Sequence, residues 1–249
     1  MLSKLSMKFR LYSLLPALFF FSSCASIYIP NVPNTPMLSK QGEFHAGGHV
    51  SLKGNVSLNT AYAFTNHLGV IVGGSVLKTN TSKKDFKQNL IELGTGYFTT
   101  FGDGNKRILE IYGGYGKGNS DVVLKRRTLD GPFITETQTA GFKKYFMQVN
   151  YSSKDEKSLK LFKHKFPLNY GTALRVSYAN MNNFKLNGLA HAGEDNIFLE
   201  PVFYTRMHLS DTWQLQYTSG SNFGLKDRKY LTAGYSVFTI GVVVNVGGR

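Results

Sequence analysis

Six histidines, with the acids and nucleophiles around them, are the residues on which chemistry could be built. His45 and His49 share the alternating face of Glu43, so a period of two turns all three the same way. Two imidazoles and a carboxylate are metal ligands by type. Residues four apart on an extended strand are separated by roughly 13 Å, however, too far for one ion without a sharp bend. Neither a metal nor another cofactor is expected. His208 and Arg206 fall on one face with Glu200, and Glu92, Glu110 and Arg175 hold the same face of other segments. Mixed charges of this kind read as a polar network filling an interior rather than as a catalytic set. His67 lies in a tight turn, His164 in a Lys-rich link and His191 in a loop, where histidines are usually solvated. His191 with Glu194, Asp195 and Ser221 is the grouping that could serve acyl transfer or hydrolysis, but no motif supports it, and no enzyme is expected.

The elements that would position these side chains are strands. From Glu43 onward apolar and polar residues alternate, with Gly, Asn, Asp or Lys clusters between the runs. Val56, Leu58, Thr60, Tyr62 and Phe64 oppose Asn55, Ser57, Asn59, Ala61 and Ala63; Leu174 and Val176 oppose Arg175 and Ser177. The pattern predicts about ten strands, at 43–52, 55–64, 68–77, 89–101, 107–117, 141–152, 168–180, 196–209, 213–222 and 231–246, with eight as the competing count. The polar face carries too many charges for a dry core, since an unpaired buried Glu or Arg costs several kcal/mol or more. Segments of about 9–11 residues match tilted bilayer-crossing strands better than soluble ones. Aromatic residues sit at segment ends, at Tyr97, Phe101, Tyr151, Tyr178 and Trp213, as in an aromatic girdle. Short connections (65–67, 102–106, 210–212) alternate with long ones (78–88, 118–140, 181–195, 223–230), with two breaks in the rule, a tight turn at Lys53-Gly54 on the outer side and a long link from Ser153 to Pro167 on the periplasmic side. The expected fold is therefore all-β, an up-and-down antiparallel transmembrane β-barrel with its apolar face outward. A lipocalin-like soluble barrel with the apolar face inward, binding an apolar ligand, is the opposed reading.

The N-terminus carries export signals. Lys4, Lys8 and Arg10 precede an apolar run from Leu11 to Phe21, too short to span a bilayer as a helix, and Ser22 and Ser23 lead to the only cysteine, Cys24. Phe21-Ser22-Ser23-Cys24 resembles the lipobox of bacterial lipoproteins, which implies cleavage before Cys24 and acylation of its sulfur. Residues 1–23 then form a signal peptide, 24–42, with Pro30, Pro33 and Pro36, a semi-extended lipidated tether, and 43–249 the barrel. Losing three cations lowers the formal charge from +14 to +11. Basic character suits anionic lipid surfaces; the scattered Lys and Arg residues leave no nucleic-acid footprint.

Tyr28-Ile29-Pro30-Asn31, the first hairpin and Ala61-Tyr62-Ala63-Phe64-Thr65-Asn66-His67-Leu68-Gly69-Val70 resemble small outer-membrane β-barrel lipoproteins of the Bacteroidota type. The resemblance implies residence in the bacterial outer membrane with a lipid-anchored N-terminus in the periplasm. The expected role is structural, accessory or that of a small-solute pore. The alternatives are the tethered lipocalin-like binder and an outer-rim lipid acyl hydrolase or acyltransferase. Outer-membrane lipids and a periplasmic or outer-membrane protein are the expected partners, with no nucleic acid. Lys125, Arg126 and Arg127 on the longest outer loop are the candidate contact for anionic lipid, and Lys154, Lys157, Lys160, Lys163 and Lys165 form a second basic cluster at the periplasmic face.

Overall fold

The structure, a computed structural model, describes residues 26–247 apart from 53, 129–130, 162–163 and 233–235. Ten strands form the wall: β1 (Phe44–Ser51), β2 (Asn55–Ala63), β3 (Leu68–Asn80), β4 (Lys84–Phe101), β5 (Arg107–Thr128), β6 (Gly131–Leu161), β7 (His164–Leu186), β8 (Asp195–His208), β9 (Trp213–Gly220) and β10 (Val237–Val246). Each pairs antiparallel with its neighbour in sequence, and β10 pairs with β1 from Phe44↔Val246 to Ser51↔Thr239, so the sheet closes. Closure leaves no unpaired edge along the wall. Two short ladders lie outside it, Leu189–Ala190 on the end of β7 and Phe223–Gly224 on β8.

The alternation read from the sequence sorts the two faces as expected. Leu58, Val76, Ile91, Met147, Phe203 and Ile240 point outward and are exposed, whereas Ser57, Ser75, Glu92, Gln148, Glu200 and Thr239 point inward and are buried. This polarity is the reverse of a lipocalin-like cup. The outward apolar residues run right round the wall, far beyond the few hundred Å² of contiguous apolar patch usual on soluble monomers.

The barrel has two unlike ends. The turn end carries 64–67, a short 3-10 turn at Asp103–Asn105, and 209–212. The loop end carries the longer connections 187–194 and 221–236. Three segments expected as long connections are largely extensions of strands: β3 and β4 continue to Asn80↔Asp85, leaving only 81–83 between them at the loop end, β5 and β6 continue as a hairpin to Thr128↔Gly131 at the same end, and β6 and β7 continue to Leu161↔His164 at the turn end. Toward the tips of these last two hairpins, at 125–126, 132–136 and 157–161, both faces meet solvent and the apolar alternation that marks a strand in the sequence is absent, whereas nearer the wall Ser120, Val122, Gln138 and Ala140 still turn inward and are buried.

Where a wall side chain must cross above a neighbouring strand, a missing Cβ makes room. A Cβ on Gly171 would come 2.3 Å from the Tyr204 ring, so the aromatic lies flat over that glycine.

Candidate functional site

The lumen is filled by the chain itself. Residues 26–41 run through the barrel from the loop end to the turn end, and Ile27, Tyr28, Asn31, Val32, Asn34, Thr35, Met37 and Leu38 are all buried. The expected tether is thus, from Ser26 onward, a strap threaded through the interior. A segment of prolines and amides reads as solvated when taken alone. Its polar backbone is satisfied inside the barrel by the polar face that the alternation turns inward.

At the loop end the Ser26 carbonyl accepts from Lys84 Nζ at 3.2 Å, Ser26 Oγ donates to the Thr232 carbonyl at 3.3 Å, and the Ile27 N–H donates to the Tyr230 carbonyl. Tyr28 packs against Phe142 and Phe198, with ring centroids 5.1 and 5.3 Å away, in a cluster that includes Ile27, Phe86 and Leu231. Gln88 then holds Ile29 by both backbone groups, accepting from its N–H at 2.8 Å and donating to its carbonyl at 2.6 Å. Ser75 Oγ bonds Asn31, and the Asn34 side chain donates to the Thr60 carbonyl at 2.8 Å. Gln148 and Asn150 both donate to the Asn34 carbonyl, at 2.6 and 3.1 Å.

Lower down, two of the predicted lumen residues clamp the strap from opposite signs of charge. Arg206 donates to the Thr35 and Pro36 carbonyls while its Nε bonds Gln216 at 2.5 Å. Glu110 accepts from the Met37 and Leu38 N–H groups at 3.4 and 3.1 Å, from Tyr112 at 2.9 Å and from Asn150 at 3.0 Å. Met37 has φ of 67°, a left-handed conformation that costs a non-glycine residue roughly 1–2 kcal/mol, and Glu110 grips that residue. Leu38 packs with Ile71, Phe98 and Phe146, and Met37 with Ile108 and Tyr204. Ser39 bonds Glu43 and Lys154 at the turn-end mouth before β1 begins.

The remaining predicted lumen charges form a separate cluster at the waist. Glu92 bridges Arg175 at 2.8 Å and Lys144 at 3.0 Å, and Lys144 reaches Glu200 at 3.1 Å. Ser177 completes Glu200, and Gln148 accepts from Arg175 Nε at 2.8 Å. Lys144, Gln148 and Asn150 were missed in the sequence reading, although their parity with Ser152 on the β6 segment marks them as inward. The space between Asn34, Glu92, Phe146 and Arg175 has no room for a water molecule. His208 lines a cavity of about 330 Å³ at the turn end with Glu43, His45 and Gln214, apart from the waist cluster.

The histidine pair differs from its expected separation. His45 and His49 both turn their Nε2 atoms over Gly47, at 3.6 and 2.8 Å from where its Cβ would stand, because that residue leaves the space open. Glu43 turns to Ser39 instead, and among the described residues no group of three or more His, Cys, Asp or Glu could hold a metal. His191 lies edge-on to Phe184 and Tyr230, while Glu194 accepts from the backbone N–H groups of Lys229, Tyr230 and Leu231. Asp195 pairs with Lys226 at 2.5 Å and Arg228 at 2.7 Å, which holds its carboxyl down at about 2. Both acids near His191 therefore fix loop 221–236. The candidate lipid contact is also changed: Lys125 pairs with Asp85 at 2.6 Å, Arg126 is exposed, and the Arg127 side chain and Cys24 lie outside the described residues.

No family model matches this chain, and no curated protein matches it. Among solved structures it is similar to the translocator domain of the autotransporter NalP from Neisseria meningitidis, with 14% identity, a TM-score of 0.45, and 82% of this chain covered with 85% of that one. It is also similar to the N-terminal β-barrel domain of OprF from Pseudomonas aeruginosa, with 10% identity and a TM-score of 0.31, covering 82% of this chain and 96% of that one. These likenesses are of barrel shape, and the functional reading rests on the residues of the chain itself.

Proposed function

We propose that this chain is an outer-membrane β-barrel lipoprotein whose channel is closed by its own N-terminal segment, and that its role is structural or accessory rather than that of an open pore. The observation that carries the reading is the strap, buried along most of its length from Ser26 to Leu38 and bonded by side chains of β3, β4, β5, β6 and β8. The outward apolar belt supports burial of the wall in lipid, where only a closed barrel or a helix satisfies its backbone. In barrels of this kind the short turns face the periplasm and the longer loops face outward.

With that orientation, Ser26 stands at the outer end. Cys24 is two residues upstream, and two extended residues add at most ~7 Å. The lipid that the sequence motif assigns to Cys24 would then belong to the loop-side leaflet. The periplasmic attachment expected from the sequence assumed a tether lying outside the barrel. With residues from Ser26 onward inside it, the chain is carried to the opposite end.

Planar-bilayer recording tests the closed lumen: a folded wild-type barrel should give no channel steps, and stable open steps would overturn the reading. Fractionation tests the membrane placement. A Cys24→Ala variant should still need detergent, whereas its release as soluble protein would favour a tethered soluble barrel.

A further inference from the structure

At the loop-side edge of the apolar belt, three tyrosines stand in register across adjacent strands: Tyr115 opposes Tyr145, and Tyr145 opposes Tyr178. The Tyr115 and Tyr145 ring centroids are 5.2 Å apart. Tyrosines in such a row mark the depth at which apolar side chains give way to headgroups. One outward position higher, Lys117 stands directly opposite Lys143, and both are exposed. Among the described residues neither forms an ion pair with a carboxylate. The acids nearby are engaged elsewhere or displaced: Asp121 is set opposite Lys87, and Asp195 is held by Lys226 and Arg228.

Like charges directly opposite on one face of a sheet repel. An anion between the two ammonium groups removes that repulsion. Beside the pair, a groove of about 820 Å³ opens on the outer face, with Leu58, Val76 and Ile91 along it and Asn89, Lys117 and Lys143 at its head. Gly74 helps to form it, because no side chain fills the outward position between Val72 and Val76. A polar, cationic head and an apolar trough share one concave surface at the depth of the tyrosine row.

We propose that Lys117 and Lys143 bind the phosphate of an anionic membrane lipid whose acyl chain lies in the groove along Leu58, Val76 and Ile91. The site rests on the membrane placement proposed above. It differs from the Lys125–Arg127 cluster expected from the sequence, which sits near the hairpin tip and whose Lys125 is paired with Asp85. The apolar trough favours a lipid over free phosphate, since an ion would use only the head of the groove.

The test is native mass spectrometry of the full chain in detergent, titrated with phosphatidylglycerol or phosphatidylcholine. Heat-modifiable migration on gels serves as an independent check that each barrel is folded. The wild type should prefer phosphatidylglycerol by roughly thirtyfold, from two cations each favouring an anionic surface. The Lys117→Gln/Lys143→Gln double variant should lose that preference, and Lys160→Gln/Lys165→Gln, at the opposite end of the barrel, should keep it. A folded Lys117→Gln/Lys143→Gln protein with the wild-type preference would overturn the site, as would inorganic phosphate displacing the lipid at equal concentration. Failure of the membrane reading itself would appear separately, as a wild-type chain that stays soluble without detergent.

Discussion

Replacing Glu110 with alanine should free the lower strap while leaving the wall intact. In the wild type its carboxylate accepts from Met37, Leu38, Tyr112 and Asn150, inside a lumen closed to water at the waist. Asn150 retains the Asn34 carbonyl, so Glu110→Ala orphans three donors, two of them on the strap. Each unsatisfied buried donor costs about 1–3 kcal/mol, and partial relaxation brings the sum to about 3–5 kcal/mol, or roughly 10²–10⁴ in the balance between docked and released strap. Met37, 5% exposed and gripped by Glu110, reports the release directly. Peptide mapping after mild peroxide treatment should show Met37 converted to sulfoxide in Glu110→Ala and spared in the wild type. Met181, 4% exposed in the loop-end cluster, should stay protected in both, because the release is local. Glu110→Gln keeps one acceptor oxygen and should fall between them. A folded Glu110→Ala barrel in which Met37 stays as protected as in the wild type would refute the clamp.

Other perturbations have outcomes equally tied to single contacts. Arg175→Met removes one of two cations from buried Glu92; breaking a buried pair costs about 3–5 kcal/mol, and the surviving Lys144 bond puts the loss at the low end, read as a lower urea midpoint of the heat-modifiable form. Gly171→Ala should lower the same midpoint by about 1–3 kcal/mol, because the new methyl meets the Tyr204 ring; Gly48→Ala, with nothing within 4 Å of its Cβ, should leave it unchanged. Asp195→Asn should speed proteolysis of loop 221–236 by freeing Lys226 and Arg228. The Asp195 carboxyl is held below its ordinary value, so its contribution is complete above about pH 4 and is lost as the pH falls through about 2. Hydrogen exchange of that loop in the wild type should accordingly be indifferent to the state of Asp195 from pH 8 to pH 5.

The wall was legible in the sequence because its two faces differ so sharply: Leu174 and Val176 against Arg175 and Ser177 admit one sorting, and a closed ring of such strands follows from it. The hairpin extensions were not legible. Residues 125–126, 132–136 and 157–161 have solvent on both sides, and no alternation marks a ribbon of that kind. Of the site, Glu92, Glu110, Arg175, Glu200 and Arg206 were found by parity alone. The strap they serve was not found, since buried irregular chain has no period to read. Two signals pointed to it. No charged residue occurs from Ala25 to Ser39 in a chain that is 18% charged, and the inward face offers more donors and acceptors than it can satisfy by itself. Arg206 has no acidic partner among the described ion pairs and finds its acceptors in the Thr35 and Pro36 carbonyls. The gap left by unpaired lumen groups is filled by a polar backbone that the local pattern assigned to solvent.

The N-terminal chain passes through the barrel and emerges with the long loops. An epitope inserted between Cys24 and Ser26, probed with antibody on intact cells and again after permeabilisation, tests it most directly. Intact cells should label at the level seen after permeabilisation, matched by an epitope placed in loop 187–194. An N-terminal epitope that stays hidden until the outer membrane is opened, while the loop epitope is already exposed, would contradict it.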